Sequence, residues 1–244
     1  MRMRLVEAAR RAAAVRRMWA RYRRESPQAA PRDFRDWILT TMAPDTMLRD
    51  GRPWITFPAA RWLAARVHAG TSVFEWGSGA STVFFSRRGA RVVSIEHETA
   101  WHERVAERLR AESGDVRLRL VPPDDGDAAR RMSAAERPLY QSTDARYEGR
   151  LFVRYVEAVL DYPVGSFDVF LVDGRSRVGC AVMAARQAGP GACVILDNAE
   201  RPAYAAALAA FAPPEWEALQ FDGPGPRSLW PAFWRTTAFV RRIR

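Results

Sequence analysis

An apolar run, Thr71-Ser72-Val73-Phe74, leads into Glu75-Trp76-Gly77-Ser78-Gly79 and then into Ala80-Ser81-Thr82-Val83-Phe84-Phe85-Ser86. The first run reads as a strand, the glycines as a turn and the third segment as a helix start. A second apolar run, Arg91-Val92-Val93-Ser94-Ile95, ends on an acid, Glu96, fourteen positions after Thr82. Strand, turn, helix, strand and acid follow one another in this order in a nucleotide-binding βαβ unit. No other segment of the chain restricts its architecture as much.

The chemistry of that order is general. Glycines take positive φ and let a backbone approach a ligand. A helix N-terminus presents unpaired N–H groups. An acid at the end of the second strand accepts hydrogen bonds from both hydroxyls of a ribose. A dinucleotide fingerprint wants a third small residue where Thr82 stands, so Gly-x-Gly-x-x-Thr matches it poorly. The turn also brings its own acid, Glu75. A carboxylate there repels a pyrophosphate and suits an amino-acid ammonium. The Walker phosphate loop needs a lysine, and all 38 basic residues here are arginine. The alternative to a ligand site is a turn that merely connects strand to helix.

Glu-x-Gly-x-Gly with an acid after the next strand resembles the class I S-adenosylmethionine-dependent methyltransferases. The resemblance implies that Gly77, Ser78 and Gly79 pass under the methionine part of the cofactor and that Glu96 binds its ribose. It puts Glu75, Ser81, Thr82 and His97 around the same cofactor. His97 has a second reading, as a solvated loop residue.

The remaining pattern supports an α/β fold. Strands are expected at 72–75, 91–96, 116–121, 167–173 and 192–197, and helices at 80–87, 99–112, 151–161, 177–188 and 201–211. Such alternation gives a doubly wound, Rossmann-like parallel sheet. Two further strands, at 216–221 and 234–241, lie too close for a helical crossover, and Gly223-Pro224-Gly225-Pro226 marks a loop between them. The expected sheet is therefore seven-stranded and mostly parallel, with one antiparallel strand. Residues 51–244 form this domain, with 122–150 as a polar insertion or lid. Trp54-Ile55-Thr56-Phe57 either closes over the cofactor or plugs the core.

Residues 1–50 read as an arginine-rich helical extension. Leu5, Ala8, Ala12, Val15, Trp19 and Tyr22 recur at helical spacing over residues 4–24, and Ser26-Pro27 ends the run. The net charge of +10 belongs to the ends, since residues 1–35 hold eleven arginines against Glu7, Glu25 and Asp33. The helix either packs its stripe on the domain or a second copy, or meets an anionic surface or nucleic acid. No segment has the roughly 18 apolar residues of a membrane span, and the N-terminus lacks an apolar leader. Cys180 and Cys193 sit in apolar surroundings and read as reduced thiols of a cytoplasmic protein.

A second constellation closes the site. The fourth strand ends in Asp173-Gly174-Arg175-Ser176-Arg177 and the fifth in Asp197-Asn198. Ligands of an open α/β sheet sit beyond the carboxyl ends of its strands. Asp173, Asp197 and Asn198 should therefore share one rim, where three oxygens can hold Mg²⁺ or Ca²⁺. The alternative is that Asp173 caps the next helix and touches the cofactor or substrate, while Asp197-Asn198 caps a turn. The rim resembles the metal-dependent, catechol-type O-methyltransferases. It departs from them at Ser176, where that family uses a lysine as base. Deprotonation then falls to the metal, to Asp173 or Asp197, or to His97, and Arg175 is free to clamp an anionic substrate.

The wider run, Phe74–Thr82, Val93–His97, Val172–Arg175, Leu196–Asn198 and Trp234–Thr237, is similar to bacterial methyltransferases of mostly unassigned substrate. The expected activity is S-adenosyl-L-methionine-dependent O-methylation of a small molecule, sugar or peptide. The alternatives are a nucleic-acid-associated methyltransferase and a non-catalytic binding protein recruited through the arginine-rich termini. Trp216, Trp230, Trp234 and Phe233 are core or, for Trp230 to Trp234, a pocket wall.

Overall fold

The computed structural model describes residues 2–25, 30–42, 47–124, 132–226 and 233–243. Three helices precede the sheet region: α1 (Arg2–Glu25), α2 (Ala30–Met42) and the short α3 (Met47–Asp50). The domain then runs α4 (Phe57–Arg66), β1 (Ser72–Trp76), α5 (Ala80–Arg87), β2 (Arg91–Glu96), α6 (Thr99–Leu109) and β3 (Val116–Leu120). It continues α7 (Arg137–Tyr140), α8 (Val153–Glu157), β4 (Val169–Val172), α9 (Arg177–Gln187) and β5 (Cys193–Asp197). It ends α10 (Ala205–Leu208), β6 (Trp216–Pro224) and β7 (Phe233–Arg241). The Ser26-Pro27 stop, Asp125-Gly126-Asp127, Trp230 and Pro231 lie outside the described residues.

The seven strands form one sheet in the order β3-β2-β1-β4-β5-β7-β6. β7 pairs antiparallel with both β5 and β6, and the other pairings are parallel. This is the doubly wound sheet with one reversed strand that the sequence predicts. β6 extends to Pro224, so Gly223 and Pro224 belong to a strand and not to the loop expected there. Their partners Trp234 and Phe233 hold them in the ladder.

Strand alternation sorts the core into two layers. Phe74 and Trp76 face one side with Phe170, Val172, Val194 and Leu196, under α8 and α9. Val73, Val92, Leu171 and Ile195 face the other, under α4 and Phe85 of α5. The same period puts Glu75 on the Val73 face, directly beneath α5. Burying both faces is what a parallel sheet requires.

The N-terminal helices pack on the α4 side of the sheet. Met18, Trp37 and Phe57 make a small separate core, with Val15, Phe34, Ile38 and Phe233 against it. An ion pair between Asp33 of α2 and Arg61 of α4 ties the layers. The stripe differs in part from the expected one. Ala14 and Met18 are buried, whereas Ala12 is exposed. Ala14, Met18 and Arg21 share the face turned to α2, with Arg21 over the Phe233 ring. The side chains of Leu5, Ala8 and Tyr22 lie outside the description. No described helix is long and apolar enough to cross a membrane. Cys180 and Cys193 are free and buried.

Candidate functional site

The turn after β1 is built on a close backbone approach. Gly77 has φ +98°, and a Cβ there would stand 2.7 Å from both Cα and N of Gly174. Only glycine combines that φ with that contact. The strand ends of β1 and β4 thereby touch, and the turn opens between them. Gly79 then leads into α5. Its N–H donates to Thr82 Oγ1 at 2.9 Å, which caps the helix from within.

Glu75 lies behind this turn. Its Oε2 accepts from Thr82 Oγ1 and Ser94 Oγ, both at 2.6 Å. Oε1 is buried with no hydrogen-bond partner. Burial raises the Glu75 pKa to about 7, against the pull of the hydroxyls. The carboxylate therefore fixes the turn from below, and it is absent from the cleft lining. Strand alternation accounts for this position.

Glu96 ends β2 beside the turn and is almost fully engaged. Oε2 accepts from Ser78 N at 3.2 Å and Ser78 Oγ at 3.0 Å. Oε1 accepts from His97 N at 2.8 Å and Glu98 N at 2.9 Å, and lies 2.7 Å from His97 Nδ1. These partners lower its pKa although burial pushes the other way. His97 is not the solvated loop residue of one expectation. Its Nε2 meets Tyr147 Oη at 3.0 Å, and its ring packs edge-on against Tyr147, Phe152 and Tyr155.

A cleft of about 960 Å³ opens at this edge of the sheet. Gly77, Ser78, Gly79 and Ser81 line one half, and Asp173, Arg175, Asp197 and Asn198 the other. Thr82, Glu96 and His97 stand behind the lining. The cleft also takes Met47 and Leu48 from the segment before residue 51, with Trp54 at its margin. Ile55 and Phe57 are buried, so the 54–57 segment divides its work between cleft and core.

The rim acids come together as predicted, but around an arginine. Arg177 Nη2 donates to Asp173 Oδ1 at 2.8 Å and to Asp173 O at 2.7 Å. Nη1 donates to Asp197 O at 2.7 Å and Asn198 Oδ1 at 3.2 Å, and Nε to Gly174 O at 3.1 Å. Asp197 Oδ1 is further bound by Trp234 Nε1 at 2.8 Å and Thr236 Oγ1 at 2.7 Å. The guanidinium stands where a divalent cation would have to sit. As arranged, Asp173, Asp197 and Asn198 hold this guanidinium and do not fit a metal beside it. Two carboxylates now share one buried cation. Burial raises the pKa of both acids, Asp197 adds to the rise at Asp173, and Arg177 opposes it at both.

The insertion folds back on the rim. Asp124 and Gln141 bridge to Leu151, and Ser176 Oγ donates to Tyr140 O at 3.0 Å. Arg146 consequently reaches the cleft, and Asp144 sits 3.1 Å from Arg175 Nη2. Residues 125–131 are not part of the description. Sequence reasoning missed Trp101 of α6. Its Nε1 donates to Ser78 O at 2.8 Å, and its ring flanks Gly79. Its spacing five residues after Glu96 was the available signal, because the first turn of the next helix must return past the glycine turn.

No protein-family model matches the chain, and no curated protein sequence is significantly similar to it. Solved structures do resemble it. An O-methyltransferase from Bacillus cereus in complex with SAH superposes at TM-score 0.55 and 14% identity, over 93% of this chain and 100% of that one. A Klebsiella pneumoniae protein provisionally called an O-methyltransferase matches at TM-score 0.50 and 16% identity, over 82% and 89%. The chain thus has the fold of these proteins.

Proposed function

We propose that the protein is an S-adenosyl-L-methionine-dependent methyltransferase acting on oxygen. One observation carries the reading. The Gly77–Gly79 turn opens from the N-terminus of α5 into the cleft, with the Glu96 carboxylate immediately behind Ser78. The fold shared with the Bacillus cereus and Klebsiella pneumoniae proteins supports it.

In this reading the turn holds the methionine part of the cofactor, and Trp101 walls the same half. Glu96 receives the ribose diol once Ser78 releases Oε2, so the turn adjusts on binding. The acceptor occupies the half beside Asp173. Its oxygen attacks the sulfonium methyl carbon in line, the carbon–sulfur bond breaks, and S-adenosylhomocysteine leaves. The proton passes to the Asp173 carboxylate, whose raised pKa brings it toward the range suited to a base at neutral pH. Arg177 holds that carboxylate in place. Orientation in the cleft supplies much of the rate.

Calorimetric titration with S-adenosylhomocysteine tests the reading, and micromolar binding is expected. Glu96→Ala should weaken it by about 1.5–3 kcal/mol, the range for hydrogen bonds to a charged group. Ser78→Ala, which removes a competing hydroxyl from Glu96, should bind no more weakly than the parent. Equal losses in the two variants would remove the ribose assignment. Absence of binding in the parent would remove the cofactor.

A further inference from the structure

Charge is unevenly distributed in the cleft. Arg104, Arg146, Arg175, Arg177 and Arg201 line it, against the carboxylates of Asp173 and Asp197. Arg177 is fully engaged by those acids and the surrounding carbonyls. Arg104 lies over the Trp101 ring, on the glycine-turn side. The other three cluster on the β4–β5 side.

Asp144 is shared by two of them. Arg146 donates to it through Nε at 3.1 Å and Nη2 at 2.7 Å, and Arg175 Nη2 lies 3.1 Å away. The hydrogen bonds from Arg146 hold the Asp144 carboxyl well below the usual carboxylate range, with Arg175 adding to them. The acid is ionised, and one positive charge is still left over. Arg175 Nε is buried with no hydrogen-bond partner, on a guanidinium placed 5.5 Å over the Tyr147 ring. A buried donor without an acceptor is destabilising, so a ligand that supplies an acceptor is favoured here. Arg201, just after β5, is exposed and makes no ion pair among the described residues.

We infer that the acceptor carries an anionic group, a carboxylate or a phosphate, received by Arg175 with Arg146 and Arg201 beside it. The inference rests on the methyl-transfer reading for the contents of the other half. A planar guanidinium binds both anions through paired N–H donors. S-adenosylmethionine also brings a sulfonium and an ammonium against one carboxylate. It therefore adds positive charge to a cleft already rich in it, and an anionic acceptor offsets the excess. The cofactor's own carboxylate is the competing claimant for Arg175.

The test uses the full chain saturated with S-adenosylhomocysteine. Benzoate and phenyl phosphate are titrated in, with benzamide and phenol as their neutral counterparts. The anions should bind at least tenfold more tightly, and added salt should weaken them. Arg175→Gln should lose at least tenfold for the anions and leave S-adenosylhomocysteine affinity unchanged. Arg201→Gln, at an exposed position, should shift the anions in the same direction and gives the answer should Arg175→Gln fail to fold. Equal binding of neutral and anionic probes overturns the inference, as does no binding of either anion. A loss confined to S-adenosylhomocysteine in Arg175→Gln assigns the donor to the cofactor and overturns it too. Failure of the parent to bind S-adenosylhomocysteine counts against methyl transfer alone, because the anion preference is then read on the unliganded protein.

Discussion

On the β1–β2 side of the cleft, buried acids are matched mainly by neutral donors. Glu75 rests on two hydroxyls, and Glu96 on Ser78, two backbone N–H groups and the His97 ring. On the β4–β5 side, Asp173 and Asp197 share the single guanidinium of Arg177. The first half is assembled largely from partners within about one βαβ unit. The second joins two strand ends, a helix and β7, so its ions stand or fall together. A half held by local hydrogen bonds can adjust when a ligand arrives. A half held by shared charge resists change and sets the field for whatever binds beside it.

Removing the shared cation should have the largest effect. Arg177→Met leaves the buried Asp197 and the half-buried Asp173 facing each other, and breaking such a pair costs about 3–5 kcal/mol. Urea unfolding should show that loss. It should also recover in part at low pH, where the stranded acids take up protons. An Arg177→Met protein as stable as the parent would erase the distinction between the halves.

The next effect sharpens the other side. The Glu75 pKa is about 7 in the fold against 4.5 when unperturbed. Between those values the folded chain keeps a proton that the unfolded chain has released. Stability therefore falls as pH rises from 4.5 to 7 and levels off above it, by up to about 3 kcal/mol. Glu75→Gln has no such proton to lose. The difference in melting temperature between parent and variant should shift steadily in favour of the variant over that range. A constant difference would mean that the hydroxyls keep Glu75 ionised throughout.

The smallest change concerns the wall of the turn. Trp101→Phe keeps a ring over Gly79 and deletes one hydrogen bond to Ser78 O. It should cost about 1 kcal/mol of stability. Tryptophan fluorescence of the parent should respond to S-adenosylhomocysteine, and most of that response should vanish in the variant.

Much of the architecture was legible because its signals are local. The apolar runs of β1, β2, β4 and β5, the glycines at 77 and 79, and the short connection between β6 and β7 each announce themselves within a few residues. Glu75 could have been placed from the same information. Its two-residue step from Val73 puts it under α5, behind the cleft lining. The expected α1 stripe holds in part, with Val15 and Trp19 turned to α2. Position 18 carries a buried methionine and position 12 an exposed alanine, a choice made by α2 and Phe57.

The rim shows the opposite case. Its acids could be predicted to converge, since strand ends of one sheet share an edge. Their occupant could not. Nothing local singles out Arg177, yet the first turn of α9 carries its guanidinium back to the ends of both β4 and β5. The sequence alone thus determined the βαβ frame, the glycine turn and the edge where the site lies, because these follow from backbone freedom and periodicity along a few residues. The tertiary structure decided which charges neutralise one another and which arginines remain facing the cleft. Coulomb energy and burial depend on distances between residues far apart in the chain, and only the packed sheet sets those distances.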